Sequence, residues 1–527
     1  MSLGNFLFLD ELDPALRQAI HWEQLSGFNV DPSNELGRGF LRLSLVPSVW
    51  TLSPRGSIIR ARWPEDMTES DVINGWQEAI VAEWDGGQLA GGMTETSPDT
   101  LLDRLSKPSR LTERPSLEPI RRLLGRIGNP HHGLPVLHVG GTAGKGSTAT
   151  IAAHILQAAG YRVGLHVKPH LERVEERFVV DGKQIAPERL LGILIDLAPA
   201  AEAVSPTWYE LTVAAAFQYF REEKVDLAVI EVGLGGTYDG TNVVEPLAAV
   251  LTNVGLDHTE ILGDTVEAIA RDKVGIAKPG IPFVSGVTQP SVREIVRARC
   301  QEVSAPLWLI GRDFDSRIQE LGPEGARFDL WLPDRQCAGL ELRLLGGHQV
   351  QNATVAVASI AALAAAGIQV SEEVLRSALK TARVPGRLEV IRRGPLVVLD
   401  GAHNPDKMAA LVNALTTLYP GRRVIGVLAF KQGHHLEATI SPILGRLQRA
   451  ILTTFEASTD FGRGQAVDPN EIAAVCRRLS PTLPWLVEPN PLAAVERAID
   501  ESEPDDLVCV TGSLYLVGAV RAPLLRR

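Results

Sequence analysis

The residues best suited to chemistry lie in Gly140-Gly141-Thr142-Ala143-Gly144-Lys145-Gly146-Ser147-Thr148, between an apolar stretch, LPVLHVG, and a helical one, STATIAAHILQAAG. Glycines clear side chains from a tight strand-to-helix turn, so that backbone N–H groups converge on phosphate oxygens at the helix N-terminus. Gly141, Thr142, Gly144, Gly146 and Thr148 are the expected frame of such a loop. Lys145 can reach the β and γ phosphates, and Ser147 can offer its hydroxyl to Mg²⁺. The spacing departs from the usual phosphate loop, because Gly146 stands between the lysine and the hydroxyl residue. The competing reading is a glycine-rich turn with a solvent-facing lysine. In a chain with only ten lysines, one placed inside this loop favours phosphate.

Other candidates sit at the ends of apolar runs. Glu231 ends VDLAVIEV, where the carboxyl ends of parallel strands form a crevice, and His258 follows the next strand. Both can reach one divalent cation; a surface acid, and a histidine bonded to Asp257, are the plain alternatives. Lys273 lies in the helical stretch ARDKVGI, and the sequence alone favours neither a modified lysine nor a salt bridge near Asp272. Asp400-Gly401-Ala402-His403-Asn404-Pro405 marks another strand-to-helix turn. There Asp400 can hold a ribose or orient Arg387, and His403 and Asn404 can contact a nucleotide. Asn352 can read an adenine edge or cap a helix. Together these groups fit acyl phosphate formation, in which a carboxylate is held against a γ-phosphate while cations neutralise the equatorial oxygens. A hydroxyl-directed kinase lacks an obvious base here.

The elements that must position these residues are legible in the pattern. At 527 residues the chain exceeds one core and calls for about three domains. Residues 1–95 hold five of the nine tryptophans and none of the lysines. FLRLSLVPSVWTL and SIIRARW read as two or three strands, and ESDVINGWQEAIVAEW as an amphipathic helix. SKPSRLTERPS then reads as a linker, so 1–110 is an accessory α+β region. From 111 to 386 short Val- and Ile-rich strands alternate with helices, which predicts an α/β, P-loop-type domain with a mostly parallel sheet. FDSRIQE, ARFDLWL and LELRLLG read as an antiparallel addition at that sheet's edge. Residues 387–527 read as a second, Rossmann-like α/β domain.

Bulk properties exclude several classes. A net charge of -11 disfavours a nucleic-acid surface, which needs clustered Lys and Arg. MSLGNFLFLDELDPALRQ lacks the marks of a secretory signal, and the apolar run from Val355 to Gly367 reads as a buried helix too short to span a membrane. Four scattered cysteines, Cys300, Cys337, Cys476 and Cys509, fit thiols in a cytoplasmic protein.

From HVGGTAGKGST at 138–148 onward, the chain resembles the folylpolyglutamate synthase/dihydrofolate synthase family of the Mur-ligase superfamily. The resemblance rests on an ordered set: PHLERVEER at 169–177, EVGLGGTYDGTNVV at 231–244, LDHTEILGDTVEAIARDKVGIAKPG at 256–280, GGHQVQNA at 346–353, PGRLE at 385–389, DGAHNP at 400–405 and TGSLYLVG at 511–518. It implies an ATP- and Mg²⁺-dependent ligase that joins L-glutamate to dihydropteroate or a reduced folate, in the form of a monomer or weak oligomer. It further implies that Ser147, Glu231 and His258 are metal ligands and that Lys273 is carbamylated. It puts Asp400, His403 and Asn404 on the ATP side, Arg387 on phosphate across the hinge, Lys168 and His170 in the substrate loop, and Ser513 and Tyr515 near the amino acid.

The chain departs from the family pattern at Lys168, where serine is usual, and at Thr237 in place of Arg. Gly240 replaces Ala, Ala143 replaces Asn, and Lys431-Gln432-Gly433 stands where an acidic Asp-Lys-Asp segment is expected. These changes leave two alternatives open: the same chemistry on a non-folate carboxylate, and a nucleotide-binding scaffold without catalysis.

Overall fold

The computed structural model describes residues 97–107, 116–432, 436–459 and 462–526, with four short strand segments before them. The chain divides into two compact units, 1–101 with 187–199, and 102–186 with 200–527. Residues 187–199 thus group with the N-terminal unit, although the sequence pattern placed them in the central domain. In the first unit Leu41–Ser44, Trp50–Leu52 and Ile59–Arg62 form the expected strands, and Phe6–Leu7 adds a fourth. The helix expected over 69–84 and most of the linker lie outside the described residues.

The central sheet of the second unit has six parallel strands, in the spatial order Leu307–Leu309, Phe283–Ser285, Ala248–Leu251, Val136–Gly140, Leu227–Glu231 and Val163–His166. Two short antiparallel strands, Val179–Val180 and Lys183–Gln184, complete one edge. Ala248 and Val250 enter one hydrophobic cluster while Ala249 and Leu251 enter another. Both faces are therefore covered, which is why these strands read as unbroken apolar runs. The strand that feeds the phosphate loop is flanked by the one ending in Glu231 and by the one that leads to His258. Three candidate groups are thereby delivered to one end of the sheet.

The segment expected as an edge addition is a separate antiparallel sheet, Asp315–Gly322, Gly325–Trp331 and Gln336–Leu342. Its alternation buries Phe328, Leu330, Cys337, Leu340 and Leu342 in the cluster that also holds Ala353, Ala356, Val357 and Ile360. Those last four lie on the helix Gly347–Ala362, which continues as a 3₁₀ turn to Ala366. At 20 residues this stretch is long and apolar enough for a membrane span by composition, longer than the sequence run indicated. Two thirds of its most apolar window is buried against the domain, so the expectation of a core helix holds.

The C-terminal sheet runs Glu389–Arg393, Leu396–Leu399, Leu507–Thr511, Val424–Leu428, Arg449–Leu452 and Trp485–Val487, with only the first strand antiparallel. Three of its helices open alike, with Asn404, Asp468 or Asn490 at the N-cap and Pro405, Pro469 or Pro491 next. The cap accepts a backbone N–H that the helix leaves orphaned, and proline sits where no donor is needed.

Candidate active site

The phosphate loop leaves its strand at Gly141 (φ +141°) and enters the helix Lys145–Ala158 through Gly144 (φ +76°). At Gly144 a Cβ would stand 2.2 Å from Asn352 Oδ1, and at Gly141 one would stand 2.0 Å from Thr252 Oγ1. Glycine is required here by conformation and by space at once. The loop is tied down from behind: Thr142 N donates to Asn253 O (3.0 Å), Ala143 N to Asn253 Oδ1 (2.7 Å) and Thr252 Oγ1 to Ala143 O (2.7 Å). The Lys273 ammonium donates to Gly141 O at 3.1 Å. Lys273 is thus a loop anchor in the structure, not a partner in a salt bridge near Asp272, and burial pushes its amine down to about 7.

Gly141, Thr142, Gly144, Lys145, Gly146 and Ser147 line a cavity of about 400 Å³ together with Lys168, Glu231, His258, Lys273, Asn352, Arg387, Asp400, His403, Ser513 and Tyr515. Gly146 has its own reason. A Cβ there would come within 3.2 Å of Glu231 Oε2, so the glycine between Lys145 and Ser147 lets the buried carboxylate approach the helix start. Burial raises the Glu231 carboxyl, against the pull of Lys145, Lys168 and Arg387, and Lys168 N donates to it at 3.0 Å. His258 is held at φ +51°, and burial pushes its imidazole down to about 4, so it presents a neutral ring. Its anticipated bond to Asp257 is absent; its ring lies 3.5 Å from Glu260.

Among the described residues no group of three or more His, Cys, Asp or Glu side chains is placed to hold a metal ion. The candidate donors are instead a hydroxyl, a carboxylate and a neutral imidazole. A buried carboxylate destabilised by its burial, beside a helix start that supplies a hydroxyl, suits a hard cation that keeps several waters, as Mg²⁺ does.

The opposite wall comes from the C-terminal domain. Asp400 accepts from Leu388 N and Ala402 N, both at 2.9 Å, so its carboxylate holds the turns around Arg387 and not a free ribose edge. Burial lowers Arg387, and Asp400 and Glu231 favour its charged form. Ser513 caps the final helix, accepting from Tyr515 N at 3.1 Å.

Three expected contacts are not on this wall. Asn404 Oδ1 caps the helix Pro405–Leu418 by accepting from Lys407 N (3.0 Å). Thr148 is buried, donating to Asn352 O at 3.4 Å. His170 is buried where its ring accepts from Arg177 Nε (3.1 Å), with Trp208 beside both. Asn352 lies inside its helix and bonds Gln349 at 2.9 Å, which rules out the cap reading.

Of the departures, Ala143, Lys168 and Lys431 face the cavity. Thr237 is pinned to Asp272 O at 2.9 Å and Gly240 opens a 3₁₀ turn. Lys168 also lies 5.3 Å over the Tyr209 ring, which Gly233 makes room for, since a Cβ at 233 would stand 2.4 Å from that ring.

Sequence reasoning missed Asp257 and Lys407 as a pair. Lys407 Nζ lies 3.6 Å from Asp257 Oδ2, across the two domains, and 3.0 Å from His403 Nε2 in its own domain. A lysine two residues after a proline has no motif of its own. A second cavity of about 660 Å³ lies on the far side of Ser147, sharing Gly146, Ser147, Lys168, Glu231 and Arg387 with the first.

A glycine-loop cavity closed by a second, Rossmann-like domain defines an ATP-dependent ligase of the Mur type. The Mur ligase middle domain matches residues 139–360, and the Mur ligase, glutamate ligase domain matches 386–514. The chain is 33% identical over 420 residues to the dihydrofolate synthase/folylpolyglutamate synthase of Bacillus subtilis, covering 78% of this chain and 95% of that one. The chain belongs to the folylpolyglutamate synthase/dihydrofolate synthase family. Two solved structures superpose well. The folylpolyglutamate synthase of Mycobacterium tuberculosis complexed with ADP and AMPPCP gives a TM-score of 0.72 at 28% identity, covering 79% of this chain and 97% of that. The Escherichia coli protein FolC in complex with DHPP and ADP gives 0.72 at 26% identity, covering 82% and 99%.

Proposed function

We propose that this ligase phosphorylates the carboxylate of dihydropteroate or a reduced folate with ATP and joins the product to L-glutamate. The observation that carries this reading is the meeting of two cavities at Ser147, Lys168, Glu231 and Arg387. One is built around a phosphate loop, and the other has room for the remaining reactants beside its end.

In the first step a donor carboxylate oxygen bonds to the γ-phosphorus and the bond to the ADP oxygen breaks. Lys145, Lys168 and Arg387 surround that point, and fixed cations there stabilise charge as it moves to the leaving diphosphate. Ser147, Glu231 and His258 would hold a Mg²⁺, which would add to the neutralisation of the phosphates. In the second step the neutral amine of glutamate attacks the acyl carbon and phosphate leaves, with the surplus amine proton lost to solvent or phosphate. Closure of the C-terminal domain by way of Arg387 and Asp400 keeps water from the acyl phosphate. Asn352 and His403 contact the nucleotide, and Ser513 and Tyr515 line the amino-acid end. Lys273 is carbamylated in the active enzyme; its depressed amine has the neutral fraction that capture of CO₂ requires, and intact mass would show the adduct.

The enzyme works as a monomer or weak oligomer on small molecules in the cytoplasm. The ammonium of Lys168 on the cavity wall also favours a second reading, the same chemistry on a different acidic donor. Purified protein given ATP, Mg²⁺, glutamate and either dihydropteroate or tetrahydrofolate should release ADP only when both organic substrates are present. ADP release that ignores every folate but responds to another carboxylate selects the second reading, and ATP binding without turnover for any acid leaves only a scaffold.

A further inference from the structure

Lys407 is a cation on the C-terminal wall that the ligase chemistry leaves unused. It lies in the first turn of the helix Pro405–Leu418 and lines the phosphate-loop cavity together with Lys145. The loop opposite is in close approach: a Cβ at Gly255 would stand 2.6 Å from Asp406 Oδ2. The partners of Lys407 are unequal. His403 Nδ1 lies 2.7 Å from Gly401 O, and because a carbonyl only accepts, Nδ1 carries the proton and Nε2 is left to accept from Lys407 at 3.0 Å. The carboxylate of Asp257 stands at 3.6 Å, well beyond the 2.7–2.9 Å or so of a charge-assisted hydrogen bond. An ammonium has three donors, and these contacts engage one of them well.

The surrounding charge is mixed, and Asp257 favours the ammonium. Lys145 and Arg387 both disfavour the charged form of Lys407, which burial already pushes down to about 8. Lys145, Arg387 and Lys407 line one cavity from two domains, with Glu231, Asp257 and Asp400 among them, and the phosphate loop makes a polyphosphate the anion they can share.

We propose that Lys407 is a second polyphosphate-binding lysine, delivered by the C-terminal domain, which leaves Asp257 for the outer phosphates of the nucleotide. Asp257 and His403 hold the ammonium in place before the nucleotide enters. Exchange of the long Asp257 contact for phosphate then draws the two walls together. The proposal rests on the nucleotide reading of the cavity, and the experiment separates the two.

Equilibrium binding of ATP, ADP and adenosine is measured on the full-length wild type and on Lys407→Met, Lys407→Arg and Asp257→Asn. Wild type should bind ATP; if it does not, the nucleotide reading and this proposal fall together. Lys407→Met should weaken ATP about 10- to 100-fold, as expected for losing a hydrogen bond to a charged group, and leave adenosine within about twofold. Lys407→Arg should recover most of the loss. Asp257→Asn, which loosens only the waiting position, should bind ATP as well as wild type or better. If wild type binds ATP and Lys407→Met binds it equally, Lys407 has no phosphate role. If Asp257→Asn loses as much ATP affinity as Lys407→Met, or adenosine binding falls in step, the lysine is only a tie between domains.

Discussion

The two strand-to-helix turns that face each other across the cavity use their motif residues in opposite ways. In the central domain, Gly141, Gly144 and Gly146 leave bare backbone facing the cavity, while Thr252, Asn253 and Lys273 hold the loop from outside it. In the C-terminal domain Asp400 and Asn404 spend their oxygens on backbone N–H groups, those of Leu388 before the turn and of Ala402 and Lys407 within and after it. The first turn is therefore a binding surface supported by its neighbours. The second is mainly a frame, and the groups it presents are Arg387, before it, and Lys407, after it.

The largest effect should come from the binding surface. Lys145→Ala should lower kcat/KM for ATP by about 10³-fold, from loss of charge stabilisation on the transferred phosphate. Its melting temperature should hold or rise, because burial disfavours the ammonium of Lys145. A stopped assay and a thermal melt on the same preparation separate the two; full activity would demote the loop to an ordinary turn.

Next, Gly144→Ala should weaken ATP by about 100-fold, since the new Cβ meets Asn352 and the backbone keeps a left-handed φ. Adding Asn352→Ala removes the collision but not the strain, so affinity should return in part. Full recovery would show that the φ value costs nothing there.

Acid should separate the domains. His138 is fully buried on the central sheet beside Thr241, and burial pushes its imidazole down to about 3. The folded state binds fewer protons than the unfolded one between about pH 3 and 6.5. The contribution of neutral His138 is complete above about 6.5 and shrinks as pH falls, by about 2 kcal/mol at pH 5. Asp400 has the opposite sign, since burial raises its carboxyl. Hydrogen exchange at pH 7 and pH 5 should show central-sheet amides losing protection first; equal loss in both sheets would count against this assignment.

The smallest effect tests the frame. Asn404→Ala removes an N-cap and should cost about 1 kcal/mol, or about 2 °C in melting temperature, with ATP affinity changed less than about threefold. A tenfold loss of affinity would return Asn404 to the nucleotide.

Much of this architecture was legible because it is local. Unbroken apolar strands, glycine at a phosphate turn, and Asn-Pro or Asp-Pro at helix starts follow from backbone rules that act over a few residues. The loop, Glu231 and His258 were readable as strand ends for the same reason. His170 and Asn404 were misread because their types fit a ligand equally well, and only the neighbours Arg177 and Lys407 N show where their lone pairs go. The separate three-stranded sheet was taken for an edge addition, because alternation records which face is buried but not what it packs on.

The sequence by itself determined the ligase family, the phosphate loop and the order of the two α/β domains. Tertiary structure decided that Gly146 makes way for Glu231, that Lys273 anchors the loop, and that Lys407 meets Asp257 across the cavity. Those are contacts between residues 85, 132 and 150 positions apart. Spacing rules reach one turn of helix or one strand end; such long separations are closed only by the packing of whole sheets and helices against one another.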